Sequence, residues 1–353
     1  MDPVNYPRTV MVGARGSALS RAQASTVTGL LGRLYPDLRF EFLPILTSGD
    51  EPASSSALAR LSRAVSSPKA EKADSGGIKG MFVKEIEAAL LAKKIDLAIH
   101  SAKDLASDLP KGLTLGPALK RAEPWDVLVC ASDVGLARMP NGFSIGTSSQ
   151  RRMAFLKAYR NDFVFKPLRG NVETRLKKVG NNFSGIILAK AALDRLGLRI
   201  PFEVEILSPM IITPAPGQGQ LALEFRESDD LMAKLLEPLN HHPSALALTA
   251  ERSFTRQLGL GCSEPIGAYC FLDPNGYLAM KAAFVDIDKN LVYRQESSLK
   301  MSVTAPTVVS GQVVWDKKRP NANDLALATS LGLSVAKELQ ARVPNGLLGA
   351  SKG

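Results

Sequence analysis

His100, Ser101, Lys103 and Asp104 follow directly on a short apolar run made of Ile95, Leu97, Ala98 and Ile99. The run is too short for a helix and has the length of a buried strand. In open α/β sheets, ligands collect just past the carboxyl ends of strands. A lysine and an aspartate side by side at such a place can hold a carboxylate ready to move a proton or steady a cation. Taken alone the segment is also what a polar turn leaving a strand looks like, so the weight falls on what the rest of the chain brings to it.

Arginines recur in the same setting. Gly13, Ala14, Arg15, Gly16 and Ser17 close a strand expected over 9–12 and open a helix running to about Leu34, with Ser17 placed to cap it. A strand, a glycine turn and a helix N-terminus make an anion-binding geometry. Neither GxGxxG nor a phosphate loop ending in GK[ST] is present, which disfavours nucleotides. Residues 147–152, TSSQRR, close a strand at 144–146, and Thr147 or Ser148 is expected to cap the helix that follows to about Tyr159. Arg151 and Arg152 stand at the positive end of that helix, against the dipole, at a cost of roughly a few tenths of a kcal/mol unless an anion sits there. Arg169 and Arg175 surround the next such turn, after a strand at 164–167, and Arg195 lies in the helix after 185–188. If these turns meet in one cleft, it holds many cations and one carboxylate. Guanidinium forks grip carboxylates bidentately, and each charged hydrogen bond is worth ~1.5–3 kcal/mol. The expected ligand is therefore a polyanion. Cys262 sits in Gly259-Leu260-Gly261-Cys262-Ser263, a poor core sequence that puts a thiol on an exposed loop.

The elements that must position these groups alternate. Strands are expected also at 39–46, 95–99, 113–119, 127–131 and 221–225, with a helix at 82–93. Strand, polar turn and helix recur from residue 9 to 195, the signature of α/β domains with mainly parallel strands. Residues 51–77, rich in Ser, Ala and Lys, read as a long loop with room for a short helix around 58–64, of the kind that is either a lid or disordered. The rigid turn at 214–220, PAPGQGQ, is a return crossing between two domains. A helix at 243–258, with Glu251 and Arg252 central, strands within 265–311 and a closing helix at 321–342 make a small α+β third domain. No internal repeat stands out.

The chain has 353 residues, of which 45% are hydrophobic and 22% charged, the make-up of a globular protein of two or three domains. No apolar run approaches the ~18 residues of a membrane span, and the N-terminus MDPVNYPRTV has no apolar h-region, so no secretory leader is expected. Cys130, Cys262 and Cys270 are too few for a disulfide framework, which points to a reducing, cytoplasmic setting. With no CxxC, no HExxH and three histidines, no metal is expected. The net charge of +10 draws anions, but only 6% of residues are aromatic and no zinc-finger, RNP or basic-zipper pattern is present. The expected partner is a small acidic molecule rather than nucleic acid or a membrane, and the chain is expected to act as a monomer.

Eight segments carry a resemblance to a known family: ARGSALSRAQ (14–23), GGIKGMFVKEIE (76–87), HSAKD (100–104), GTSSQRR (146–152), LRGNVETRL (168–176), LAKAALDRLG (188–197), APGQGQLALE (215–224) and ERSFTRQLGLGCSEPIG (251–267). In these segments, in their order and over nearly its whole length, the chain resembles the porphobilinogen deaminases, or hydroxymethylbilane synthases. The resemblance implies an α/β fold of three domains. Two are like type II periplasmic binding proteins, at 1–119 with 216–239 and at 120–215, and a small α+β domain at 240–353 carries the cofactor cysteine. It implies a dipyrromethane cofactor, made by the enzyme from its own substrate and held by a thioether to Cys262. By the same resemblance Asp104 is the catalytic aspartate, and Lys103, Asp104, Thr147, Ser149, Arg151, Arg152, Arg169 and Arg175 are cofactor ligands. Arg15, Ser17, Gln23, Lys79, Phe82, Ser101, Arg169, Arg175 and Arg195 match positions that handle substrate. The implied activity is a transferase of tetrapyrrole biosynthesis that condenses four porphobilinogens head to tail, with loss of ammonia, and hydrolyses off hydroxymethylbilane.

Departures from the family pattern are few. Leu260 stands where glycine is frequent, Trp125 where a basic residue is common, and the 51–75 loop is longer than in typical bacterial members. The alternative from another class is a non-catalytic polycarboxylate-binding protein on the same two-lobed fold. A covalent adduct on Cys262, visible in the intact mass, separates the two.

Overall fold

The computed structural model describes residues 9–47, 83–259, 264–302, 307–309, 312–314, 319–344 and 347–348. The expected loop at 51–77 and the site residues Lys79, Phe82 and Cys262 lie outside the described residues.

The first lobe is built from β1 (Thr9–Arg15), α1 (Ala18–Leu34), β2 (Arg39–Ile45), α2 (Lys84–Leu91), β3 (Leu97–Ser101) and β4 (Leu113–Leu115). β4 is shorter than the expected 113–119. Gly116 N–H still donates to the Leu223 carbonyl of the neighbouring strand, and Pro117 then stops it, because proline has no N–H to give a ladder. The second lobe runs through β5 (Asp126–Cys130), β6 (Ser144–Gly146), α3 (Gln150–Tyr159), β7 (Val164–Lys166), α4 (Val172–Leu176), β8 (Gly185–Ala189), α5 (Lys190–Leu196) and β9 (Glu203–Ile206). The chain then returns to the first lobe as β10 (Leu221–Arg226) and α6 (Asp230–Leu236). A third unit follows, with α7 (His242–Leu258), β11 (Ile266–Leu272), β12 (Tyr277–Asp286), β13 (Leu291–Lys300), β14 (Thr307–Val309), β15 (Gln312–Val314) and α8 (Ala322–Arg342). None of the described helices is long and apolar enough to cross a membrane.

The two lobes carry five-stranded sheets of the same design, ordered β2-β1-β3-β10-β4 and β7-β6-β8-β5-β9. In the first, β1 pairs in parallel with β2 and β3, while β10 runs against β3 and β4. In the second, β6 pairs in parallel with β7 and β8, while β5 runs against β8 and β9. The fold thus repeats although the sequence shows no repeat. Each sheet has one reversed strand in the fourth place, lent by the segment that crosses from the other lobe. Two such lobes with a small third unit make the expected α/β class.

Helices cover both faces of each sheet, so the strands read as nearly continuous apolar runs. In the first lobe Val27 and Leu31 of α1 pack on Val10, Val12 and Leu97, and Ile86 and Leu90 of α2 pack on Ile95 and Ala98. In the second, Phe155 and Leu156 of α3 cover Leu128, Ile145 and Ile187, while α4 and α5 bring Val172, Leu176 and Leu193 to Val127, Val129 and Ile186. Burying each such side chain is worth about 1.5–3 kcal/mol. The third unit has its own core of Leu246, Ala250 and Phe254 from α7, Leu331 and Val335 from α8, and Leu278 and Met280 from β12. Ala283 and Val285 of β12 join the second lobe's core instead, which docks the third unit there.

Candidate active site

A strand that runs against its neighbours begins where they end. Leu221, first in β10, pairs with Ser101, last in β3, and Asp126, first in β5, pairs with Ala189, last in β8. Both interlobe crossings therefore arrive at the edge where the polar turns emerge. The two crossings bind each other there. Ala122 N–H donates to the Gly219 carbonyl at 3.2 Å, Arg121 Nε to the Gln218 carbonyl at 2.8 Å, and Gln218 Nε2 to the Pro124 carbonyl at 2.6 Å.

The apolar run at 95–99 leaves β3 as a 3-10 turn at Ala102–Asp104, with Lys103 and Asp104 half-buried. The return crossing lies against this turn. Lys103 Nζ donates to Gln218 Oε1 at 3.1 Å. Gly217 has φ +74°, and a Cβ there would stand 2.9 Å from the Lys103 nitrogen. Only glycine fits both the left-handed backbone and the close approach. Ser101 accepts from Gln23 Nε2 at 2.9 Å, so β3 and α1 meet beside the turn. His100 belongs elsewhere. Alternation along the strand turns it to the opposite face, where it is buried and 3.0 Å from Glu224 Oε2 of β10.

Across the crossing, Asp126 has no exposed surface and binds both arginines of α3. Its Oδ2 accepts from Arg151 Nη2 at 2.6 Å, and its Oδ1 from Arg152 Nε at 2.9 Å and Nη2 at 2.7 Å. Arg151 and Arg152 also donate to the Thr213 and Ile187 carbonyls, at 2.5 and 2.9 Å. The anion that the dipole argument required at this helix start is thus first of all a protein carboxylate. Burial by itself raises the Asp126 pKa. The two guanidiniums, with a further pull from Lys103, overcome it and bring the value down to about 2. The cap is corrected too. Ser149 Oγ accepts from Arg152 N–H at 3.4 Å, while Thr147 Oγ1 accepts from Ser149 N–H at 3.2 Å and Ser148 is bonded to Leu168 on both its donor and acceptor sides.

Arg175 of α4 is held below the usual guanidinium range by burial and then by the charges of Arg152 and Arg15. Its Nε donates to the Gly170 carbonyl at 2.7 Å. Lys103 thus acts on Asp126, Asp126 binds Arg151 and Arg152, and Arg152 and Arg15 both press on Arg175. Residues from β1, the turn after β3, β5, α3 and α4 form one electrostatic neighbourhood spanning both sheets.

Two family models match the chain, "Porphobilinogen deaminase, dipyromethane cofactor binding domain" over residues 10–234 and "Porphobilinogen deaminase, C-terminal domain" over 245–341. The chain belongs to the porphobilinogen deaminase family. The porphobilinogen deaminase of Thermus thermophilus is 41% identical over 290 residues, covering 82% of this chain and 89% of that one. The Deinococcus radiodurans protein of the same name is 43% identical over 292 residues, with the same coverage. Among solved structures, the Escherichia coli periplasmic aliphatic sulphonate binding protein SsuA has 12% identity and a TM-score of 0.36 over 71% of this chain and 70% of its own, a likeness too slight to add to the strand order.

The residues fit the cofactor of this family of transferases. A dipyrromethane carries several carboxylates, and a place where the charges of Arg15 and Arg152 both press on Arg175 is stabilised when such a group enters. The remaining expected residues surround this cluster less tightly. Arg195 donates to the Gly219 carbonyl at 2.6 Å, and its burial lowers its pKa to about 10. Arg169 is exposed beside Gly170, and its carbonyl accepts from Lys178 Nζ at 3.1 Å. The Ser17 hydroxyl is engaged in capping α1, accepting from Ser20 N–H at 3.2 Å. Among the described residues no cluster of His, Cys, Asp and Glu could hold a metal. The sequence reading passed over Asp126, Gln218 and Arg121. The signal for Asp126 was there, a carboxylate opening the wholly apolar strand VLVC, since a charge that far inside a sheet must be paired.

Proposed function

We propose that Asp104 is the catalytic carboxylate of a hydroxymethylbilane synthase and that the arginine cluster grips the acid side arms of its ligands. In this reading Lys103, Thr147, Ser149, Arg151, Arg152, Arg169 and Arg175 hold the cofactor attached to Cys262. Arg15, Ser17, Gln23, Lys79, Phe82, Ser101 and Arg195 meet the incoming porphobilinogen, with Arg169 and Arg175 serving both. The observation that carries it is that the charges of Arg15 and Arg152 both bear on Arg175, an arrangement that suits a ligand with several negative charges. When bound, the dipyrromethane supplies the nucleophilic pyrrole carbon to which substrate units are joined.

Asp104 accepts hydrogen bonds from pyrrole N–H groups and stabilises the positive charge that develops as ammonia leaves the substrate. It also relays a proton from such a pyrrole N–H to the amine, which departs as ammonia. The guanidiniums fix each acetate and propionate arm, converting a bimolecular encounter into an oriented one. The same reading divides the chain into domains at 1–119 with 216–239, 120–215 and 240–353, and describes a monomeric, cytoplasmic enzyme.

Incubating the protein with porphobilinogen and oxidising the product tests the proposal. Uroporphyrin is expected, and its absence from a folded, cofactor-bearing sample rejects the reading. Sedimentation of the same sample as anything but a 37.8 kDa species rejects the monomer.

A further inference from the structure

α7 passes both interlobe crossings, and Glu251 near its middle is fully buried at 0% exposure. Its carboxylate accepts four hydrogen bonds. Oε1 accepts from Arg121 Nη1 at 2.5 Å and from Cys270 N–H at 2.7 Å. Oε2 accepts from Gly217 N–H at 2.6 Å and from Arg121 Nη2 at 3.2 Å. Arg121 lies on the outbound crossing, Gly217 on the return crossing and Cys270 in β11. An ionised carboxylate offers about four acceptor sites, so this one is saturated. Arg121 alone would satisfy the charge. The two backbone N–H donors do something a salt bridge does not, because they fix the position of main chain.

Gly217 passes that position on. A Cβ on it would lie 2.9 Å from the Lys103 nitrogen and 3.0 Å from the Ala102 carbonyl carbon, so its backbone is pressed against the turn that carries Asp104. Gln218, the next residue, accepts from Lys103 Nζ. Any shift of Gly217 is therefore transmitted by direct contact. The same α7 ends at Leu258 with Gly259 in the left-handed conformation, and the chain proceeds from there to Cys262.

We propose that Glu251 is a positioning residue that registers the Lys103–Asp104 turn against the helix leading to the thiol. The inference rests on the reading of Asp104 given above. It places Glu251 outside the reacting atoms and makes it act through Gly217.

Glu251→Gln tests it. Glutamine has one acceptor oxygen, and its NH2 group faces a backbone N–H, so either Gly217 or Cys270 loses its acceptor. The variant is expected to retain the cofactor by intact mass and to keep KM within about threefold of the parent. Its kcat is expected to fall by about ten- to a hundredfold, the scale of a sub-ångström to 1 Å misplacement. Amide hydrogen exchange, measured without substrate, is expected to quicken at least about tenfold across 102–105 and 217–218. A folded variant with kcat within about twofold of the parent, or with exchange at 102–105 unchanged, overturns the proposal. Should Glu251→Gln not fold, Glu251→Asp, which keeps the charge and withdraws the oxygens by one methylene, is judged by the same two readouts. If the parent itself makes no uroporphyrin, the functional reading fails, and the exchange at 102–105 still decides whether Glu251 sets the turn.

Discussion

Asp126→Asn removes the negative charge on which the second lobe's arginine pair is built. The carboxylate has no exposed surface and accepts three hydrogen bonds, of 2.6, 2.9 and 2.7 Å, from Arg151 and Arg152. Its pKa of about 2, against an ordinary 3.8, corresponds to roughly 2.5 kcal/mol of stability at about 1.4 kcal/mol per pH unit. Because the folded value is the lower one, this contribution is complete above about pH 4 and fades as pH falls toward 2. Asparagine does more harm than protonation, since it leaves two buried guanidiniums facing an amide. Breaking a buried pair from one side costs roughly 3–5 kcal/mol. Urea unfolding followed by circular dichroism at pH 7 is expected to show a loss in that range, narrowing as the parent is taken below pH 4. Adding Arg152→Gln to Asp126→Asn is expected to cost less than the two single losses combined, because the second change removes a stranded charge. If Asp126→Asn unfolds within about 1 kcal/mol of the parent, or the losses simply add, Asp126 is not the counter-anion of this pair.

Asp104→Asn is expected to leave the melting temperature near that of the parent and to abolish nearly all uroporphyrin formation, and full turnover in the variant would remove Asp104 from the chemistry. Cys262→Ser is expected to purify without a thioether-linked dipyrromethane, and finding that mass on the variant would assign the attachment elsewhere. Arg175→Gln relieves the repulsion from Arg152 and Arg15, so the ligand-free protein is expected to melt at the same temperature or higher. Losing one charged contact to substrate should weaken KM by about tenfold to a hundredfold, from ~1.5–3 kcal/mol. An Arg175→Gln protein that melts lower with unchanged KM would make Arg175 a structural residue.

What could be read from the chain was what its local pattern carries. The short apolar runs became strands and the polar turns after them became the site, because both are set by neighbours in sequence. Ser17 caps α1, and Gly259 ends α7 in the left-handed conformation, as side-chain size and glycine's freedom dictate. The α3 cap fell to Ser149, one residue past Ser148, because Ser148 is drawn away to Leu168, a partner twenty positions on. His100 looked reactive for its company, and alternation turned it inward to Glu224, which lies 124 positions away. Arg151 and Arg152 signalled an anion correctly, but nothing local could say that Asp126 would answer first.

The repeat of strand order and the placing of the crossings are hidden for a deeper reason. Pairing of β10 with β3 and of β5 with β8 joins segments far apart in the chain, and sheet register leaves no periodic trace across such gaps. Yet these two reversed strands settle where chemistry can occur. Had either been parallel to its neighbours, its crossing would have entered at the opposite edge of the sheet, away from Asp104 and from Arg151. Being reversed, both bring a crossing to the same rim, so the segments that join the lobes also touch the turn that carries Lys103 and Asp104. Gly217 and Gly219 mark how close that approach is. A Cβ on Gly219 would come within 2.4 Å of the Ala122 carbonyl oxygen, one crossing against the other, as a Cβ on Gly217 would crowd Lys103. The two crossings therefore bear on each other and, through Gly217, on the Lys103–Asp104 turn, all at one rim of the two sheets.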